Sequence, residues 1–120
     1  MKPNVVKSKS YLFAKRIILC SRYLQKKREY IISNQLLRSG TAPGALIREA
    51  EMGESKKDFI HKLSIALKEA NETEYWIELL MDTNYLTRSE GASLIYDCKE
   101  IIKLLTSIIK STKSNISVSK

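Results

Sequence analysis

Histidine occurs once in these 120 residues, tryptophan once, cysteine and proline twice each, and glycine four times. A single histidine leaves neither a histidine-rich metal centre nor a Ser-His-Asp triad to assemble, and His61 reads as a helix-surface residue. Cys20 and Cys98 stand far apart in no paired spacing, and are expected to be buried free thiols of a cytoplasmic protein. So few prolines and glycines exclude a turn-rich all-β fold. No run approaches the roughly 20 apolar residues of a membrane span. The opening MKPNVVKSKSYLFAKRIILC places charge before apolar residues, as a signal peptide does. Lys15 and Arg16 interrupt its apolar part and no small-residue cleavage site follows, so it reads as mature helix.

Catalytic chemistry is equally thin. Glu69, Glu72, Glu74 and Glu78 cluster on one predicted helix, but the Glu-x-x-His pairs of a di-iron bundle are missing. Nothing sets a nucleophile, a base and an oxyanion site together, so we expect no enzyme, cofactor, metal or small-molecule substrate. Zinc-finger spacing, a recognition helix-turn-helix and an aromatic single-strand platform are absent too, which argues against base-specific reading.

What the chain has is positive charge, unevenly placed. Its net charge is +8. Residues 1–28 hold nine Lys or Arg and no acid, residues 29–109 hold nine against thirteen acids, and the last eleven add three more cations. The excess belongs to the first helix and the tail, and points toward polyanions.

Hydrophobic spacing predicts four helices. After a loose leader over residues 1–7, Ser8 or Ser10 caps a first helix to about Lys27, with Phe13, Ile17, Cys20 and Leu24 on one narrow face. Leu12, Leu19 and Tyr23 form a second strip about 100° away, with Lys15, Arg22 and Lys26 beyond it. A second helix runs from about Glu29 to Met52. Its inward face, Ile32, Leu36, Ser39, Pro43, Ile47 and Ala50, passes straight through Gly40, Pro43 and Gly44. Propensity alone would split the element there, whereas the unbroken phase favours one helix kinked near Pro43.

Ser55 caps a third helix reaching Asp82, whose core face is joined by a separate strip of Ile65, Trp76 and Leu79. Thr87 to Glu90 forms a capping box opening a fourth helix, with a polar tail over 111–120. The expected fold is all-α, an up-down-up-down antiparallel four-helix bundle over residues 8–110. Glu74 points toward the apolar side and is expected to pair with Arg38 or Arg48, since a buried carboxylate needs a partner.

Gln35-Leu36-Leu37-Arg38-Ser39-Gly40-Thr41, Ile47-Arg48-Glu49-Ala50 and the stretch from Asp58-Phe59 through Lys62-Leu63-Ser64-Ile65-Ala66-Leu67 to Glu72-Thr73-Glu74-Tyr75-Trp76 carry a resemblance. The chain resembles the four-helix-bundle family of proteins encoded in intervening sequences of bacterial 23S ribosomal RNA genes, labelled the S23 ribosomal protein family. It is similar also to the accessory variability protein of diversity-generating retroelements. The resemblance covers about residues 10–110. It departs at Ala42-Pro43-Gly44-Ala45-Leu46, where the family more often has Ser or Val at the proline position and Asn at Leu46. It implies a homopentamer with a basic surface and a nucleic-acid-binding role, and for the retroelement member a reverse transcriptase and its RNA as partners.

Two readings follow. In the first, an oligomeric bundle binds RNA, DNA or an RNA–protein complex through Lys15, Arg16, Arg22, Lys26, Lys27 and Arg28. In the second, a protein-interaction scaffold uses the surplus apolar positions Leu12, Leu19, Tyr23, Ile65, Trp76 and Leu79, and the charge sets solubility or partner choice.

Overall fold

The computed structural model describes residues 3–119, with side-chain burial for 5–116. Four helices follow one another, α1 (Pro3–Lys26), α2 (Ile31–Glu51), α3 (Lys56–Asp82) and α4 (Arg88–Ser119). Each packs on its sequence neighbours, and α4 closes the ring on α1. Ion pairs Lys7–Glu51 and Lys62–Glu49 join opposite ends of adjacent helices, and Lys9 meets Glu100 while the later Arg16 meets the earlier Asp97, so these neighbours run antiparallel. This is the up-down-up-down bundle that the stripes predict.

The core is built from the faces that periodicity marks. Phe13, Ile17 and Leu24 of α1, Leu36 and Ile47 of α2, Leu63, Ala66, Ala70 and Ile77 of α3, and Leu94, Cys98, Ile101 and Leu105 of α4 are all buried. Three polar contacts cross it. The Ser21 and Ser33 hydroxyls lie 2.8 Å apart, the Thr73 hydroxyl donates to Ser39 Oγ at 2.9 Å, and Cys98 Sγ donates to the Ala70 carbonyl at 3.2 Å. Among the described residues no buried side-chain nitrogen or oxygen lacks a partner, which removes the main cost of such contacts.

Helix ends follow local chemistry. Ser55 Oγ accepts the Asp58 amide at 3.1 Å. Thr87 and Glu90 form the full reciprocal box, the Thr87 amide reaching Glu90 Oε1 at 2.9 Å and the Glu90 amide reaching Thr87 Oγ1 at 3.1 Å. Helix α2 is capped from outside, its Ser33 amide held by Glu29 Oε1 at 2.7 Å. Arg28 (φ 65°) and Asn84 (φ 66°) end α1 and α3 in the left-handed conformation. Behind them Glu29 bonds back to Leu24 and Tyr85 to Leu80, the six-to-one bond of a Schellman motif.

Two boundaries differ from the sequence reading. Helix α1 starts at Pro3, ahead of Ser8 and Ser10, and takes in most of the expected leader. Val6 continues the Phe13–Ile17 stripe and is 0% exposed, while Ser10 bonds back to the Lys7 carbonyl instead of capping. Helix α4 runs on to Ser119, through the expected tail. No Gly or Pro interrupts residues 111–119, and extending a formed helix adds one hydrogen bond per residue with no new nucleation cost.

Helix α2 is one element through Gly40, Pro43 and Gly44. The two glycines and the proline disfavour it by about 5 kcal/mol. Complete burial of Leu36 and Ile47 returns about 3–6 kcal/mol, so tertiary packing holds what propensity would break. Gly40 is required by α1, because a Cβ there would stand 2.8 Å from both Cγ1 and Cγ2 of Ile17. At Gly44 the nearest atom to a Cβ is the Ser10 carbonyl oxygen, at 3.5 Å.

These distances predict opposite outcomes for two like substitutions. Gly40→Ala should lower the urea-unfolding free energy by about 1–3 kcal/mol through overpacking. Gly44→Ala should leave it unchanged or raise it by up to about 1 kcal/mol. Equal effects would contradict the close approach at Ile17.

The Thr87 backbone and side-chain bonds hold the Glu90 carboxyl below its ordinary range. Because the folded value is depressed, this carboxylate stabilises the bundle above the ordinary glutamate pKa and ceases to as pH falls through the depressed one. The melting-temperature difference between the native protein and Glu90→Gln should therefore shrink on acidification from pH 7 to 3; a constant difference would remove titration as its source.

Candidate nucleic-acid interface

Helix α1 packs on α2 along one flank and on α4 along the other, which leaves its outward face to solvent. Lys15, Arg22 and Lys26 fall on that face, with spacings of seven and four residues. Lys27 and Arg28 follow in the turn. Among the described residues, no carboxylate lies within ion-pair distance of any of these five.

Arg16 is different. Its Nη1 lies 2.6 Å from Asp97 Oδ2, and its Nη2 donates to Ser93 Oγ at 3.1 Å. The expected six-cation set therefore loses one member to the α1–α4 contact. The reason is angular, since Arg16 follows Lys15 by 100° and comes round to the α4 flank.

Aromatic rings attend the free cations. Lys15 Nζ lies 5.3 Å from the Tyr11 ring centroid and Lys27 Nζ 4.7 Å from that of Tyr23. The neighbouring Tyr23 phenol raises the Lys27 pKa further, so this ammonium is fully charged at neutral pH. Arg28 holds its charge on a left-handed backbone, directly after the carbonyl end of α1. Cations at that end are favoured by the helix dipole.

The apolar positions form two surfaces where the sequence grouped them as one. Leu12 and Leu19 are 56% and 63% exposed, with Tyr23 beside them, so the α1 strip has no cover within the chain. Trp76 packs against the core, its indole N–H donating to Glu72 Oε2 at 2.9 Å, and Ile65 and Leu79 are half-buried with it on α3. Because α1 and α3 are diagonal in the ring, the two strips lie on different sides of the bundle.

Glu74 takes neither expected arginine. It lies 3.3 Å from Lys99 of α4. Arg38 meets Glu69 at 2.8 Å and also Glu72, both on α3. Two residues advance a helix by 200°, so with Glu72 turned to α2, Glu74 faces α4. Arg48 lies on the α1 side of α2, its Cζ 5.4 Å from the Tyr11 ring. The sequence reading pairs Arg48 with a carboxylate and does not bring it to Tyr11, because the contact spans two helices.

Both thiols are free, and burial pushes Cys20 up to about 11 and Cys98 up to about 12. Neither is a thiolate at neutral pH. His61 is exposed, as expected. Among the described residues no helix is long and apolar enough to cross a membrane.

A search of curated proteins returned no match. Among solved structures, a protein of unknown function from the S23 ribosomal protein family of Bacteroides thetaiotaomicron VPI-5482 is 58% identical. The match covers 92% of this chain and 99% of that one, with a TM-score of 0.89. The family model described as 23S rRNA-intervening sequence protein matches residues 2–107, and the chain belongs to that family.

Proposed function

We propose that this protein is a non-enzymatic, self-assembling bundle that binds nucleic acid, RNA or an RNA–protein complex, through the outward face of α1. The observation that carries the reading is the set of five cations on and after that face, Lys15, Arg22, Lys26, Lys27 and Arg28, with no acid in the first 28 residues and no ion-pair partner among the described ones. Unneutralised cations on one rigid rod suit a phosphate backbone, where affinity comes from counterion release. The family's association with ribosomal RNA genes favours RNA.

Self-assembly is supported by the two apolar surfaces. A head-to-tail ring needs two different patches on different sides of each subunit: the exposed Leu12 and Leu19 of α1 supply one, and the half-buried Ile65 and Trp76 of α3 are the candidate for the other. The family resemblance favours five subunits, and a ring would multiply weak phosphate contacts by avidity. The same exposed α1 strip favours a second reading, a scaffold whose partner is a protein and whose charge only tunes that contact.

Replacing Lys15, Arg22 and Lys26 with Gln should weaken retention of single-stranded RNA at low salt and reduce the slope of log affinity against log salt by about 2. Arg16→Gln, whose charge Asp97 already neutralises, should leave the slope in place and change the melting temperature little. An unchanged slope in the triple variant would leave the scaffold reading standing, and a strict monomer by light scattering would sink the assembly in both.

A further inference from the structure

A hollow of about 260 Å³ opens between α1 and α2, lined by Tyr11, Ala14, Thr41, Gly44, Ala45 and Arg48. Tyr11 is 51% exposed, and two cations from different helices approach its ring, Lys15 at 5.3 Å and Arg48 at 5.4 Å. Both sit over the ring, whose negative face attracts each of them, and an anion placed beside the pair would be drawn to both charges. Among the described residues no carboxylate comes within ion-pair distance of either. The acids next to Arg48 in sequence are turned away, Glu49 to Lys62 at 3.1 Å and Glu51 to Lys7 at 2.9 Å.

The wall is as informative as the rim. Ala14, Gly44 and Ala45 present no side chain longer than a methyl group. Packing does not require the glycine, since a Cβ at position 44 would meet nothing closer than 3.5 Å. A helix-weakening residue is thus kept where α1 has room for a larger one. Hollows elsewhere are unlike this one. That around Tyr96 includes Glu100, bonded to Lys9, and that beside Leu19 includes Glu90.

We propose that this hollow holds one unpaired nucleotide, its base on the ring face of Tyr11 that Arg48 now covers, with the Arg48 guanidinium shifted onto the base's other face and the phosphate beside Lys15. A planar base replaces the cation on the ring face and leaves the flexible guanidinium free to stack on it, while the phosphate adds a counter-charge for Lys15 and Arg48. The volume lies below the roughly 300–1,000 Å³ of sites for drug-sized ligands, so a single ring system fits it better than a larger molecule. A paired base keeps its faces inside the stack, so the hollow prefers single strands. The choice of a nucleotide rests on the nucleic-acid reading above, and the nucleotide can come from a strand or arrive free.

The full chain should be tested by fluorescence anisotropy with a short single-stranded RNA and the same sequence as a duplex. Adenosine monophosphate should be titrated in parallel while the amide signals of Gly44 and Ala45 are followed by NMR. Tyr11→Leu and Arg48→Gln, both at exposed positions, should each weaken single-strand binding at least about fivefold and leave duplex binding in place. Ala45→Leu, which fills the hollow from an exposed site, should do the same.

A loss confined to the single strand, with the mononucleotide silent, places a strand nucleotide in the hollow. Saturable movement of the Gly44 and Ala45 signals, lost in Arg48→Gln, places a free nucleotide there. That second result would stand even if neither RNA were retained, an outcome that retires the α1 surface alone. If the variants weaken single strand and duplex alike or neither, and the mononucleotide moves no signal, the proposal is overturned.

Discussion

Helix α2 meets its two neighbours through residues that have almost no side chain. On one flank Gly40 lets Ile17 of α1 lie against the backbone, and on the other Ser39 joins α3 through a single hydroxyl pair with Thr73. Close-packed interiors leave no slack for an extra methylene, so this contact sets the spacing of three helices at once. The remaining core, Leu36 and Ile47 included, fills the space that it defines. Pro43 is tolerated for the same reason, since its buried ring is part of the packing that holds the helix together.

That arrangement leaves α1 with one face to spare. Its core face is used by Val6, Phe13, Ile17 and Leu24, and its α4 flank by Arg16 and Lys9. From Tyr11 to Lys26 the exposed residues left over are cations, tyrosines and two leucines. Exposed ion pairs between helices contribute little each, so Arg16–Asp97 and Lys9–Glu100 act mainly to fix register and to take two charges out of the outward set. The outward set is thus smaller than the net charge of +8 suggests.

Local signals were legible and relations between elements were not. The capping sequences at Ser55 and Thr87 act within four residues, and both caps form as written. The core stripes depend on rotation per residue alone, and they too survive. Val6 was overlooked because Lys7, Ser8 and Lys9 disguise a stripe that resumes at Phe13. Partners were harder still, because a helical wheel says that Glu74 is half-buried without saying whether α2 or α4 stands opposite. The Tyr11–Arg48 contact brings together residues 37 positions apart, on two helices whose relative rotation is set by the Gly40–Ile17 contact.

The Gly40–Ile17 contact also bears on how such a chain can drift. Both γ carbons of Ile17 stand equally near the missing Cβ, so valine, which keeps two γ carbons, would offer no relief to an alanine at position 40. A residue unbranched at Cβ would, because its single γ carbon can take a rotamer that points away from position 40. Position 17 can therefore shrink to valine alone, whereas position 40 cannot gain a Cβ until the γ carbons opposite it have moved. In descendants of this sequence the glycine should therefore outlast exchanges between β-branched residues at position 17.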